Sequence, residues 1–161
     1  MDIKIIRVDY SNTKQASDLL RLLNEYAEDP MGGDAPLSAF SKENLIEQLK
    51  KRPFVFSLIC YVDGEPAAFT NCVEGFSTFK CKPLINIHDF AVSRRYRGHQ
   101  LSQKLLAEIE NIALEMGCCK VTLEVLEGNE VAKQAYIKFG FIAYELDPQA
   151  GKAMFWEKPL P

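Results

Sequence analysis

The segment that most constrains the fold is RRYRGHQLSQKLL (residues 94–106), because it joins an apolar strand pattern directly to an apolar helix pattern. The strand pattern before it, LINIHDFAV, ends at Val92, and leucines at helical spacing begin at Leu101. Gly98 lies between the two patterns in a basic run, although the formal net charge of the whole chain is -3. This order predicts a strand, a turn and a helix that begins beside a basic loop.

The predicted turn has the features of an anion site. The first N–H groups of a helix lack intrahelical acceptors and lie at the positive end of its dipole, so they bind phosphate. Gly98 would let the backbone approach a ligand without a Cβ, and the arginines would bind phosphate oxygens. The loop matches neither the GxxxxGK[ST] nor the GxGxxG phosphate signature. We therefore predict a pyrophosphate-binding turn of another kind; the alternative is a capped helix with solvated arginines.

Length and patterning predict one mixed α/β domain over residues 1–161. The apolar patterns predict, in order, a strand, two helices, three strands, a helix, a strand, a helix and two closing strands. Asp63 and Gly64 separate the second and third strands, which predicts an antiparallel hairpin. No internal repeat or low-complexity segment interrupts this order.

Three local features give boundaries that a structure can test. Ser41 is expected to cap the second helix. Alternating apolar residues predict a strand over residues 119–126 with Val125 on its buried face. The two closing strands are expected in FIAYEL (residues 141–146) and KAMFWEKPL (residues 152–160).

Composition narrows the classes of function. With 25% charged residues and a net charge of -3, the chain lacks the broad basic excess of a general nucleic-acid binder. No apolar run approaches the roughly 20 residues that span a bilayer, and no signal-peptide pattern is present. The cysteines show neither CxxC nor Cys/His zinc spacing, so we expect reduced thiols in a cytoplasmic protein and no metal.

Two motifs resemble a known family. RYRGHQ (residues 95–100) resembles the Q/R-x-x-G-x-G/A acetyl-CoA signature of the GNAT superfamily of N-acetyltransferases. NEVAKQAYIKFGF (residues 129–141) is similar to that family's N-x-x-A-x-x-x-Y-x-x-x-G-F motif. The departures are Gln100, where Gly or Ala is usual, and Ser102, where a second small residue is common. Because the family accepts Ala at the position of Gln100, we expect ordinary helical backbone there.

The resemblance covers nearly the whole chain and implies a GNAT-like α/β fold. That fold has a central, mostly antiparallel sheet of about seven strands, splayed at the cofactor site and flanked by four helices. The implied activity is transfer of an acetyl group from acetyl-CoA to a primary amine, directly in a ternary complex. The alternatives are a non-catalytic acetyl-CoA-binding protein and a nucleic-acid-binding module. We expect the partner to be a small-molecule amine rather than a protein, and we expect binding neither to nucleic acid nor to a membrane. A homodimer is also expected.

Carried over residue by residue, the resemblance also implies the site. The cofactor contacts would be Phe90, Ala91, Val92, Arg97, Gly98, His99, Gln100, Leu101, Ser102, Gln103, Asn129 and Ala132. Tyr136 would be the general acid beside the thioester sulfur; its alternative role is that of a packed aromatic. The base stays open among His88, which titrates near neutral pH, the adjacent Asp89 and a water. The carboxylates Asp29, Asp34 and Glu74 are candidates to receive a cationic amine.

Overall fold

Five strands and four helices, numbered in chain order, are present in the computed structural model, which describes residues 1–161. The strands are β1 (Ile3–Arg7), β2 (Val55–Val62), β3 (Glu65–Ser77), β4 (Lys82–Val92) and β5 (Val121–Leu123). The helices are α1 (Thr13–Glu28), α2 (Ala39–Lys50), α3 (Leu101–Glu115) and α4 (Glu130–Phe139). Short 3-10 turns cover Pro30–Gly32 and Arg94–Tyr96.

The strands form one mixed sheet whose order follows the sequence, β1-β2-β3-β4-β5. The first four strands are antiparallel neighbours, and β5 runs parallel to β4 after the chain crosses over through α3. The hairpin between β2 and β3 turns at Asp63 and Gly64, both of which have positive φ. The Asp-Gly pair therefore forms the turn that the sequence predicts.

Helices cover both faces of the sheet, because both faces carry apolar residues. On one face, Leu19 of α1 packs with Ile59 and Phe69 of the sheet. On the other face, Leu105 and Ile109 of α3 belong to the larger apolar cluster, to which α4 also contributes. None of the four helices combines the length and the hydropathy that crossing a bilayer requires.

Two predicted boundaries are wrong for local reasons. The cap of α2 is Ser38, whose Oγ accepts a hydrogen bond from the backbone N–H of Ser41 at 3.1 Å. Ser41 lies inside the first turn, where it supplies a free donor rather than the cap. β5 is only three residues long, and Val125 is exposed because pairing with β4 ends at Leu123.

The sheet has five strands rather than about seven, because the two closing strands are not formed. Residues 141–146 and 152–160 contain a single isolated bridge, between Glu145 and Lys152. A turn at Asp147, whose carbonyl accepts two backbone N–H groups, brings the segments together, but neither pairs with β5. The sheet therefore ends at β5, and most large apolar side chains after residue 141 are exposed.

Candidate active site

The end of β4 lies at an opening in the sheet. β4 pairs with β5 only between Ile85–Ile87 and Val121–Leu123, yet β4 continues to Val92. Beyond Ile87, the edge of β4 that faces β5 has no strand partner. Arg97 Nε donates to the carbonyl of Val92 at 3.3 Å, and the other backbone groups of this edge are available to a ligand. The predicted contacts of the cofactor's arm lie in this stretch: Phe90, Ala91 and Val92.

A β-bulge in β4 separates the two residues predicted as candidate bases. Ile87 is opposite Cys72 of β3, but the adjacent β3 residue, Asn71, is opposite Asp89 rather than His88. His88 is therefore the extra residue of the bulge, and its side chain is exposed. Asp89 is partly buried and accepts a hydrogen bond from Asn71 Nδ2 at 3.0 Å. The bulge gives two neighbouring residues different surroundings.

The turn between β4 and α3 contains two residues with positive φ. Gly98 has a φ of 86°, and a Cβ added there would meet no atom within 4 Å. Gln100 has φ 57° and ψ 22°, in the left-handed region, so the expectation of ordinary helical backbone there is wrong. Gln100 is the N-cap residue and precedes the first helical residue, Leu101, so helical backbone is not required of it. A glycine would adopt this conformation without strain.

Free backbone donors line the same turn. The N–H groups of residues 98–103 have no hydrogen-bond acceptor within the protein, and the side chain of Gln100 does not cap α3. The first backbone hydrogen bond at the start of α3 is donated by Lys104, to the carbonyl of Gln100 at 3.3 Å. Consecutive free donors at the N-terminus of a fifteen-residue helix form a cradle for an anion such as pyrophosphate.

Two arginines of the turn bind a carboxylate from the loop after α1. Asp29 Oδ2 lies 3.3 Å from Arg97 Nη2 and 3.5 Å from Arg94 Nη2. Its Oδ1 accepts from the backbone N–H of Met31, and this bond, followed by the Arg97 guanidinium, lowers the pKa of Asp29. Asp29 therefore ties the loop to the turn instead of presenting a free carboxylate to an amine. The other two candidates for that role, Asp34 and Glu74, are exposed.

Tyr136 reaches the end of β4 from α4. Its ring packs edge-on against Phe90 and Phe141, with centroids 5.9 Å and 5.8 Å away. Burial raises the pKa of Tyr136 to about 12, so the phenol keeps its proton at neutral pH. Asn129 begins the helix, and its Oδ1 accepts from the backbone N–H of Ala132 at 3.2 Å. The cap leaves Asn129 Nδ2 without a partner.

α1 adds a residue that the sequence did not single out. The ring of Tyr26 packs edge-on against Phe69, with centroids 6.3 Å apart. Burial raises the pKa of Tyr26, and the negative charges of Asp89 and Asp29 raise it further, so the phenol is close enough to both carboxylates to feel their charge. The end of α1, the end of β4 and the turn thus line one cleft, which also includes Arg97.

Several residues predicted to contact the cofactor have only backbone groups available at the turn, because their side chains are directed elsewhere. The side chain of Leu101 is buried in the core, so only its N–H faces the turn. Gln103 Nε2 donates to the carbonyl of Ala135 at 2.9 Å and links α3 to α4. His99 is exposed, and Ser102 is partly buried. The cradle is therefore built mainly from main-chain groups.

Sequence reasoning missed Ser57 and Asn71, which are buried polar residues inside apolar strand patterns. Ser57 Oγ donates to Asn71 Oδ1, and Asn71 in turn donates to Asp89. A polar residue within an apolar run is the signal that could have found them. The bulge determines which β4 residue they contact, and the apolar pattern of the sequence does not reveal the bulge.

The thiols have no activating partners. All five cysteines are free, and burial raises the pKa of Cys60 to about 11 and that of Cys72 to about 12. Both thiols therefore stay protonated and unreactive at neutral pH. No group of three His, Cys, Asp or Glu side chains is close enough together to hold a metal ion.

Known proteins resemble the chain in sequence and in fold. The family model described as "Acetyltransferase (GNAT) family" matches residues 17–141. The thialysine N-epsilon-acetyltransferase of Bos taurus is 30% identical over 134 residues, which are 76% of this chain and 76% of that protein. The glucosamine 6-phosphate N-acetyltransferase 1 of Dictyostelium discoideum is 31% identical over 97 residues, 56% of this chain and 62% of that protein.

A solved structure adds a match of fold. AAC(6')-Iy, in complex with the bisubstrate analog CoA-S-monomethyl-acetylneamine, superposes with a TM-score of 0.77. The superposition covers 99% of this chain and 100% of the other, at 14% sequence identity. At that identity the likeness concerns the arrangement of strands and helices.

Proposed function

This chain belongs to the acetyltransferase (GNAT) family and is an acyltransferase, and we propose that it moves the acetyl group of acetyl-CoA directly to a primary amine of a small molecule. The observation that carries the proposal is the row of free N–H groups at residues 98–103, which follows the unpaired edge of β4. A pyrophosphate with an extended amide-containing arm needs both features, donors for its charge and a strand edge for its amides.

The residues present fit acetyl-CoA. The N–H groups of residues 98–103 would hold the pyrophosphate, and the backbone of residues 90–92 would pair with the pantetheine arm. Asn129 Nδ2, which its helix cap leaves free, would bind the same arm. Acetyl-CoA supplies the acetyl group as a thioester, so a carbon–nitrogen bond forms while the carbon–sulfur bond breaks, and coenzyme A leaves as a thiol.

Two side chains handle the protons. Asp89 takes the proton that the amine loses, because a hydrogen bond from Asn71 leaves the remaining lone pairs of its carboxylate free to accept. Tyr136 gives a proton to the leaving sulfur, and its pKa of about 12 means that the proton is present at neutral pH. A backbone N–H near the end of β4 polarises the thioester carbonyl. His88 is the alternative acceptor, exposed beside Asp89 on the bulge.

The acceptor is a small amine in this proposal. The curated relatives are named for thialysine and glucosamine 6-phosphate, both of which carry an amino group, and this supports a small molecule over a protein. The cleft beside Tyr26 and Asp89 is where such an amine would approach. The cytoplasmic location, the homodimer and the lack of nucleic-acid and membrane partners stay predictions from the sequence.

The direct experiment measures thiol release from acetyl-CoA in the presence of thialysine, glucosamine 6-phosphate or the aminoglycoside neamine. We expect release that depends on at least one of these amines, with the acetylated amine identified by mass spectrometry. Thiol release at the same rate without any amine, or none at all, would contradict the proposal.

The cradle is tested separately with Gly98→Val. A β-branched residue rarely adopts a φ of 86°, and its methyl groups would occupy the anion site, so acetyl-CoA binding in calorimetry should be lost. The matched control is Gly117→Val after the other end of α3, where φ is 74° and an added Cβ also meets nothing within 4 Å. The control should lose similar stability yet bind acetyl-CoA normally. Equal affinity in both folded variants would rule out the cradle.

A further inference from the structure

Asp89 lies at the end of a buried chain of hydrogen bonds. Tyr10 Oη and Ser57 Oγ are 2.8 Å apart, Ser57 Oγ and Asn71 Oδ1 are 2.5 Å apart, and Asn71 Nδ2 lies 3.0 Å from Asp89 Oδ2. Ser57 is fully buried and Asn71 is 7% exposed, so the middle bond of the chain, between these two residues, is shielded from water, and the two outer bonds are partly buried. The chain runs from the loop before α1 through β2 and β3 to the bulge in β4.

The carboxylate at the end sets the direction of every bond in this chain. A carboxylate only accepts, so Asn71 must turn its NH2 group toward Asp89 and its carbonyl oxygen toward Ser57. Ser57 then uses its single hydroxyl proton for Asn71, and Tyr10 must donate to Ser57. All three donors therefore point toward Asp89, and aligned hydrogen bonds in a buried chain strengthen one another.

The bulge decides which β4 residue receives the chain. Without the extra residue, the register of the first half of β4 would put His88 opposite Asn71. The bulge brings Asp89 to that position instead and leaves His88 exposed. A second bond holds the backbone of the same residue, since Thr70 Oγ1 donates to the carbonyl of Asp89 at 2.8 Å. The bond from Thr70 joins the two strands and leaves the Asp89 side chain free to rotate, whereas the bond from Asn71 fixes the carboxylate itself.

We propose that Asn71 is a positioning residue for acetyl transfer, which, backed by Ser57 and Tyr10, holds the Asp89 carboxylate in the orientation that accepts the amine proton. This inference rests on the proposed function, in which Asp89 is that acceptor. Proton transfer needs the acceptor within hydrogen-bond reach, and an aspartate without a fixed partner divides its time among rotamers. The amide of Asn71 does not pass protons on, so the chain orients the carboxylate rather than relaying a proton.

The first test is Asn71→Leu in the complete chain, assayed with acetyl-CoA and the amine that the wild type acetylates fastest among thialysine, glucosamine 6-phosphate and neamine. The kcat should fall by up to about 10²-fold, because the acceptor is misplaced rather than removed. The KM for acetyl-CoA should stay the same, since the cradle is untouched. Ser57→Ala should lower kcat less, and Tyr10→Phe least, because each acts through the residues that follow it.

The matched control is Thr70→Val. It removes a partly buried hydrogen bond from the same strand to the main chain of Asp89 and leaves the bond to its carboxylate intact. We expect a lower unfolding midpoint with kcat close to that of the wild type. Equal losses of kcat in Thr70→Val and Asn71→Leu would mean that any destabilisation of β3 slows the reaction, which overturns the inference.

Asn71→Asp changes the charge at nearly constant shape and provides a pH readout. Two carboxyl groups at the 3.0 Å separation of this pair would share a proton, so the acidic limb of the kcat/KM profile should move to higher pH. An acidic limb that stays at the wild-type pH in folded Asn71→Asp would mean that Asp89 is not the proton acceptor, which overturns the inference. The other titratable groups are the same in both proteins: Tyr26 and Cys72, on which the charge of Asp89 acts, the adjacent His88, Tyr10 at the far end of the chain, and Asp29, which also acts on Tyr26.

A readout without turnover comes from the side-chain amide resonance of Asn71, identified by its loss in Asn71→Leu or Asn71→Asp. This resonance should shift in Asp89→Asn and in Ser57→Ala. A wild type that acetylates none of the three amines contradicts the proposed function but leaves this readout standing. Full kcat in folded Asn71→Leu, or an unshifted amide in Asp89→Asn, overturns the positioning role. If Asn71→Leu does not fold, Asn71→Asp and Ser57→Ala decide the question.

Discussion

The two halves of β4 differ in almost every respect. In the first half, residues 82–87 pair with β3 on one side and, from Ile85, with β5 on the other, and Ile85 and Ile87 are buried. In the second half, residues 88–92 pair on one side only, begin with a bulge and lead into a turn of free donors. One strand therefore supplies both a core element and the candidate site.

This difference shows which part of a sheet can bind a ligand. Between Ile85 and Ile87, where β4 pairs on both sides, the backbone groups of the strands satisfy one another and leave none for a ligand. In the second half, the outer edge of β4 has no strand partner, the N–H groups of residues 98–103 have no acceptor, and His88 has no β3 residue opposite it. Polar groups without partners must meet water or a ligand, and here they are concentrated at one end of one strand.

The largest effect should come from Tyr136→Phe. The ring and its contacts with Phe90 and Phe141 are kept, so stability and acetyl-CoA affinity should change little. Loss of a general acid costs about 10²–10⁴ in rate, and kcat should fall in that range. Because burial raises the pKa of Tyr136 to about 12, its contribution should stay constant through neutral and mildly alkaline pH. Turnover equal to that of the wild type would mean that Tyr136 has only a packing role.

The next largest effects are expected at Asp89 and His88, two neighbouring residues at the bulge that can be compared directly. Asp89→Asn should lower kcat by about 10²-fold or more, because the proton acceptor is lost while the shape is kept. His88→Gln should have a much smaller effect, since His88 is exposed and no strand residue faces it. Steady-state kinetics of both variants across pH decide between them. The reverse order of effects would assign the base to His88.

Ile85→Ala tests the first half of the strand. Ile85 is fully buried, and such a truncation costs about 2–5 kcal/mol of stability through lost contacts and a cavity. Denaturant unfolding should show this loss, while the kcat of the folded fraction stays at the wild-type value. A fall in kcat without a loss of stability would mean that the two halves of β4 are not separable.

The smallest effect should be a gain from Gln100→Gly. Gln100 occupies left-handed backbone, and a glycine there removes a strain of about 1 kcal/mol, although it also makes the unfolded chain more flexible. We expect a slightly higher or unchanged melting temperature and full acetyl-CoA affinity in calorimetry. A complete loss of binding would mean that the Gln100 side chain is itself a ligand.

The elements that the sequence predicted well are those specified by local chemistry. The apolar period marks the strands and helices, Asp63 and Gly64 mark the hairpin, and Asn129 marks the start of α4. The two motifs likewise pointed to the end of β4 and to α4. Each of these signals depends on residues that are close together in the chain.

What could not be predicted depends on contacts between distant residues. The bulge that puts Asp89 opposite Asn71 arises from pairing of whole strands, and the ion pairs of Asp29 with Arg94 and Arg97 join segments 65 and more residues apart. The left-handed backbone of Gln100 was missed because a residue other than glycine rarely adopts it. The prediction of two closing strands was wrong because alternating apolar residues do not form a strand without a partner strand to pair with.

The order of the strands also bears on how the chain is synthesised. Because β1 to β5 lie in the sheet in the order in which they leave the ribosome, each new strand from β2 onward finds its partner already made, and no late strand must insert between earlier ones. The sheet is complete once Leu123 has emerged, and α4 follows with its phenol within the next sixteen residues. The strand edge and the turn can therefore form before α4 brings the Tyr136 phenol to them.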